Sequence, residues 1–150
     1  MIALANYVDG KVIKFLDATS RNDIIVSLVE ALEDAGKLHD KDLFYRAILN
    51  REKIVSTGVG MGVAIPHAKL PSYNDFFIAI GIIQNDGVDW NALDETPVRL
   101  VFLVGGPDDK QTQYLQILSK ITQIIKDDEQ RKKILSTDSA EKVLALFSDI

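Results

Sequence analysis

Two apolar runs in the middle of the chain, Phe76 to Gln84 and Val98 to Val104, constrain the fold most. Both are rich in β-branched and aromatic residues, so each reads as a strand. Asn85-Asp86-Gly87 after the first is turn chemistry, and Gly105-Gly106-Pro107 ends the second. Neither approaches the ~18 apolar residues that a membrane-spanning helix needs. Helical patterns flank the pair. Ser20 with Asp23 resembles a capping box with Asp in place of Glu, and Ile24, Ile25, Leu28, Val29 and Leu32 follow at helical spacing up to Gly36. A second helix is expected from near Asp40 to between Asn50 and Glu52, burying Leu43, Phe44, Ala47 and Ile48. Beyond the strands, Asp108 with Gln111 resembles another capping box. It would open a long helix through Tyr114, Leu115, Leu118, Ile121, Ile124 and Ile125. Shorter helices are expected from Glu129 to Leu135 and from Ser139 to Phe147, and an early strand from Val12 to Leu16. Helices, then strands, then helices imply one α/β domain, a mixed parallel and antiparallel sheet covered by helices.

Composition narrows the chemistry. No linker or internal repeat divides the 150 residues, a length that suits a single domain. With 17 basic and 22 acidic side chains the net charge is -5, which argues against nucleic-acid binding, since counterion release needs a basic face. Met1 to Gly10 lacks the basic-then-apolar pattern of a secretory signal, so the protein is expected to be cytoplasmic and not inserted in a membrane. Without cysteine there is no thiol nucleophile, disulfide framework or thiolate zinc site. With only His39 and His67, a three-histidine zinc site is impossible.

The informative segment runs from Arg51 to Lys69 and holds Ser56-Thr57-Gly58-Val59-Gly60-Met61-Gly62, then Val63-Ala64-Ile65-Pro66-His67. The glycines lead into a short buried strand rather than a helix, against the dinucleotide fingerprint. No Gly-Lys-Ser/Thr and no Gly-x-Ser-x-Gly occurs, which removes the P-loop and the α/β-hydrolase elbow. What remains is a histidine on a stiff Ile-Pro mount behind a glycine-rich loop. Gly58 and Gly60 let backbone approach the ring and can offer amides to an anion. A neutral imidazole nitrogen is a nucleophile near pH 7. If it attacked a phosphoryl group, Arg51 and Lys69 are the candidate cations.

This segment, with Arg51-Glu52-Lys53 before it, strongly resembles the active-site signature of the mannitol/fructose-type enzyme IIA domain of the phosphoenolpyruvate-dependent sugar phosphotransferase system, a family that includes the nitrogen-regulatory enzymes IIA. The resemblance covers the whole chain, 1–150 as one domain, and implies a mixed sheet with helices on both faces. It implies a phosphohistidine carrier that takes phosphate from a phosphorylated HPr-like carrier and passes it to an enzyme IIB domain, with no cofactor and no metal. The alternative is a nitrogen-type module that signals to regulatory target proteins through its phosphorylation state. By the resemblance His67 is the acceptor, through Nε2, and Arg51 stabilises phosphate charge. Thr57 or Ser56, or a loop carbonyl, would hold Nδ1. Many members carry a second histidine early in the helix after the Pro107-like loop, and Tyr114 stands in that slot here. Transient docking of two partners implies an apolar surface near His67, with Val59, Met61 and Tyr114 as contributors. His39 is expected to be solvated, as is the cluster from Lys126 to Lys133. Trp90, Phe76 and Phe77 are expected to be packing residues, and Asp108 and Asp109 to cap a helix.

Overall fold

The structure, a computed structural model, describes residues 3–148. Two short 3-10 turns, Leu4–Tyr7 and Gly10–Val12, precede β1 (Ile13–Leu16). Helices α1 (Arg21–Asp34) and α2 (Lys41–Ile54) follow. Then come β2 (Gly58–Gly60), β3 (Val63–Ala64), β4 (His67–Lys69), β5 (Phe77–Ile83) and β6 (Leu100–Gly106). The chain ends in α3 (Gln111–Lys126), α4 (Asp128–Leu135) and α5 (Ala140–Phe147). The path through the sheet is β1-β5-β6-β3-β2, and β4 also pairs with β6. β1 runs parallel to β5, β5 antiparallel to β6, and β3 and β4 both parallel to β6.

Both faces are covered by helices. A Cβ on Gly81 of β5 would touch Leu28 of α1, and one on Gly105 of β6 would strike Phe44 of α2. On the opposite face Phe102 of β6 meets Phe147 of α5, with ring centroids 6.1 Å apart. Buried on two sides, β5 and β6 are apolar throughout rather than alternating. No helix among the described residues is long and apolar enough to cross a membrane.

Four helix starts follow side-chain caps: Ser20 Oγ accepts from Asp23 N, Asp40 Oδ1 from Leu43 N, Asp127 Oδ1 from Glu129 N and Gln130 N, and Ser139 Oγ from Lys142 N. The expected cap of α3 is absent. Its N-cap is Lys110, with no side-chain bond, so Asp108 lies two residues too early to reach the first-turn amides, and it does not cap the helix, nor does Asp109. One residue expected to be buried, Leu43, is exposed, as is Leu115 of the long helix. Leu43 is 44% and Leu115 53% accessible, because the buried stripes run through Phe44, Ile48 and Glu52 of α2 and through Tyr114, Ile117, Ile121, Ile124 and Ile125 of α3. α2 also continues to Ile54, past its expected end, with Arg51 and Lys53 in the last turn where the dipole favours cations.

β6 does not stop at Val104. It continues through Gly105 and Gly106, pairing Phe77 on one side and Ala68 and Lys69 on the other. Glycine is needed there for room. A Cβ on Gly106 would lie 2.3 Å from the Phe76 ring.

Candidate functional site

Val63 to Lys69 runs alongside β6 as one extended line broken at Ile65-Pro66. The break follows from chemistry, since Pro66 has no N–H to give to a ladder. Its carbonyl instead accepts from Val104 N at 3.0 Å, and Ile65 N donates to the Thr57 carbonyl at 3.0 Å. His67 therefore opens β4 rather than ending the strand before it. In a strand, residues two apart share a face, so His67 and Lys69 project together toward α3.

The glycine segment is also more ordered than a loop. β2 and β3 form a hairpin whose central residues, Met61 and Gly62, have φ of 58° and 77°, as in a type I′ turn. Asp94 secures the strained Met61 by accepting its N–H at 2.9 Å. That bond and those to Thr96 hold the Asp94 carboxyl below its ordinary pKa.

The His67 ring is half-buried, and its Nδ1 lies 3.0 Å from the Ile65 carbonyl oxygen. A carbonyl only accepts, so Nδ1 carries the proton and Nε2 keeps its lone pair. Of the three candidates for holding Nδ1, the loop carbonyl does so. The hydroxyls are engaged elsewhere: Ser56 Oγ donates to the Trp90 carbonyl, and Thr57 Oγ1 donates to Glu52. Gly58 N donates to Ser56 Oγ at 3.0 Å, and no room exists beside Gly58, where a Cβ would sit 2.9 Å from that of Ala92.

Arg51 lies in the last turn of α2, where Nη1 donates to the Val55 carbonyl at 2.8 Å. Lys69 Nζ stands 4.1 Å above the centroid of the Tyr114 ring and donates to Gln111 Oε1 at 3.0 Å. The Tyr114 ring is 5.9 Å from that of His67 and stacks on Phe76 at 6.0 Å. Tyr114 thus adjoins His67, but it is only 6% exposed and does not contribute to the surface. Burial raises its phenol pKa, against the pull of the Arg51 cation, so the phenol is neutral near pH 7.

Burial, above all, pushes the His67 pKa below 6.5. The bond to the Ile65 carbonyl opposes this, Arg51 and Lys69 add to it, and Glu52 weakly opposes it. The neutral, nucleophilic form consequently persists to lower pH than for a free histidine. An unfolded chain takes up its proton as pH falls through 6.5 while folded His67 resists, so this group's stability is complete above that range and lost below it. An NMR titration of the ring should give a midpoint under 6.5, and a midpoint at or above 6.5 would contradict the burial argument.

Glu52 was not distinguished by sequence from its charged neighbours. Glu52 is 5% exposed. It accepts from Thr57 N at 3.0 Å, from Trp90 Nε1 at 3.2 Å and from Thr57 Oγ1. Trp90 is therefore a hydrogen-bonding partner as well as a packing residue. Phe76 and Phe77 pack as expected, at 5% and 6% exposure. His39 is exposed, though its ring stacks on Tyr73 at 4.7 Å. The Lys126 to Lys133 stretch is not solvated throughout, because Arg131 reaches back to the Ile125 carbonyl and to Asp128.

Around the site, Val59 and Met61 are exposed as expected, and Leu93 is 97% exposed. With Ile65 and Ile125 they line a groove of about 630 Å³.

Residues 6–150 match the family described as "Phosphoenolpyruvate-dependent sugar phosphotransferase system, EIIA 2". The fructose-specific EIIABC component of the phosphotransferase system (PTS) of Bacillus subtilis (strain 168) is 35% identical over 133 residues, which are 89% of this chain and 21% of that protein. The chain thus spans about a fifth of that relative's length. The PTS fructose-specific EIIA component of Haloferax volcanii is 30% identical over 131 residues, 87% of this chain and 84% of the relative. The crystal structure of nitrogen regulatory protein IIA-Ntr from Neisseria meningitidis has a TM-score of 0.86 and 25% identity, covering 95% of this chain and 97% of that one. By the extent of the match and the shared fold, the chain belongs to the EIIA 2 family of the phosphoenolpyruvate-dependent sugar phosphotransferase system.

Proposed function

We propose that residues 1–150 form one enzyme IIA domain whose His67 carries a phosphoryl group between proteins in the cytoplasm. The observation that carries this reading is the bond from His67 Nδ1–H to the Ile65 carbonyl, which leaves Nε2 free to attack. The donor is a phosphorylated HPr-like carrier and the acceptor an enzyme IIB domain. The Bacillus relative, named as an EIIABC component, supports a IIB partner.

In the forward step the Nε2 lone pair forms a bond to phosphorus as the donor's P–N bond breaks. The leaving electron pair returns to the donor's ring nitrogen. The proton stays on Nδ1, hydrogen-bonded to the Ile65 carbonyl throughout, so no base is required. In this step the donor group and His67 are both imidazoles, which makes it near thermoneutral. Catalysis then reduces to alignment and stabilisation of charge on the equatorial oxygens, for which Arg51 and Lys69 supply cations. Tyr114 provides no charge. Its ring instead holds the Lys69 ammonium close to His67. Lys69→Ala should slow transfer about tenfold, ~1.4 kcal/mol, and raise the His67 midpoint by removing a repelling cation. A raised midpoint with an unchanged transfer rate would exclude Lys69 from the phosphoryl site.

The test is reconstitution. Incubation with enzyme I, phosphoenolpyruvate, Mg²⁺ and HPr should add one acid-labile phosphoryl group by intact mass. No uptake from any phosphocarrier would overturn the reading. A nitrogen-type regulatory role has one observation in its favour, the likeness to IIA-Ntr at TM-score 0.86. A phosphorylated chain that binds a target protein but never passes phosphate to a IIB domain would establish it.

A further inference from the structure

We propose that Glu52 is a positioning residue that keeps His67 in its Nδ1–H tautomer, acting through Thr57 and Ile65. This rests on His67 as the acceptor but is read out without phosphate. Among the described residues Glu52 and Thr57 are the buried polar or charged side chains apart from the aromatic ones, and the phosphoryl-transfer step above uses neither.

The connections run in one direction. Trp90 Nε1 donates to Glu52 Oε1 at 3.2 Å and lies 3.2 Å from Thr57 Oγ1. Both the N–H and the hydroxyl of Thr57 donate to the Glu52 carboxylate. With its N–H and side chain fixed, the Thr57 carbonyl is aimed at Ile65, whose N–H it accepts at 3.0 Å. The next peptide plane carries the Ile65 carbonyl, the acceptor for His67 Nδ1. Pro66 fixes φ between that plane and the histidine. Beyond the Glu52 carboxylate and the Thr57 hydroxyl each link is a backbone group with little freedom, so the carboxylate at one end sets the carbonyl that orients the ring at the other. A buried carboxylate needs several donors to be tolerated, and here the donors belong to the segment that mounts the histidine. Its negative charge also acts on the imidazole, where it opposes Arg51 and Lys69.

The experiment is ¹⁵N NMR of the His67 ring, read beside the indole N–H of Trp90, the chain's one tryptophan. The wild type should show a single Nδ1–H tautomer. In Glu52→Ala the Thr57 amide loses its acceptor, and the ring should populate both tautomers while transfer slows by up to ~100-fold. Glu52→Gln keeps an oxygen for Thr57 N and Trp90 Nε1. It should retain the tautomer and most of the rate, while the His67 midpoint drops because the opposing charge is gone. A folded Glu52→Ala protein with one tautomer and the wild-type rate would overturn the proposal. If that variant does not fold, Glu52→Gln decides: mixed tautomers or an unmoved midpoint would refute it. A phosphate-free His67 in the wild type under reconstitution, with these NMR results intact, would instead sink only the acceptor reading.

Discussion

His67→Ala should leave a folded domain that takes up no acid-labile phosphate under conditions where the wild type takes up one equivalent. On the proposed reading the loss is complete, because covalent carriage has no substitute for the side-chain nitrogen that would hold the phosphoryl group between partners. His39 is the only other histidine in the chain. It is exposed and stacked on Tyr73, outside the group formed by His67, Tyr114 and Lys69. His39→Gln should therefore keep full labelling and serves as the control for a general effect of losing an imidazole. The structural cost of His67→Ala is small by comparison. The ring is half-buried and makes one hydrogen bond, so about 0.5–1.5 kcal/mol is lost. For a domain of this length that is a fall of a few degrees in Tm at most. Intact-mass spectrometry before and after acid treatment separates the outcomes. Label persisting in His67→Ala would move the acceptor elsewhere, and label lost in both variants would indicate a fold effect.

What the sequence made legible was local. Ser20, Asp40 and Ser139 sit where a short polar side chain can reach an amide three residues on, and each helix begins there. The Ile65-Pro66-His67 mount was equally readable, because proline's missing N–H and fixed φ are properties of one residue. Whatever depended on distant partners was not readable. Glu52 is one of three charged residues ending a helix, and only the fold brings Trp90 to its carboxylate. Gly105 and Gly106 read as a stop, yet they extend β6 because Phe76 and Phe77 occupy the space a side chain would need. Ser56 and Thr57 were plausible holders of Nδ1 until their hydroxyls proved committed to the Trp90 carbonyl and to Glu52. The strand order follows from pairings between segments far apart in the chain, such as Ile13 with Ile80, for which no local pattern exists.

Arg51→Ala should slow phosphoryl transfer by about 100- to 1000-fold, ~3–4 kcal/mol, while leaving the domain folded. The size follows from what the guanidinium offers: a planar fork of donors that stays charged and can bind two phosphoryl oxygens at once. In this structure one Nη is spent on the Val55 carbonyl at the end of α2, which anchors the group; on the proposed reading its other donors meet the phosphate. Lys69 remains in the variant and carries part of the charge, so the loss should fall short of that in His67→Ala. Arg51→Lys should recover a minority of the rate, because an ammonium supplies charge without the fork. Stability should drop by only ~0.3–1 kcal/mol, the value of a cation at a helix C-terminus, or roughly 1–4 °C in Tm. The His67 midpoint should rise, since removing a neighbouring cation eases protonation of the ring. Single-turnover transfer from phosphorylated HPr, a thermal melt and an NMR titration measure the three quantities independently. A Tm collapse with a proportionate loss of rate would make Arg51 a helix-end anchor and nothing more. An unchanged rate with a raised midpoint would mean that its charge reaches the imidazole but never the phosphate, and Lys69 would then stand alone as the phosphoryl cation.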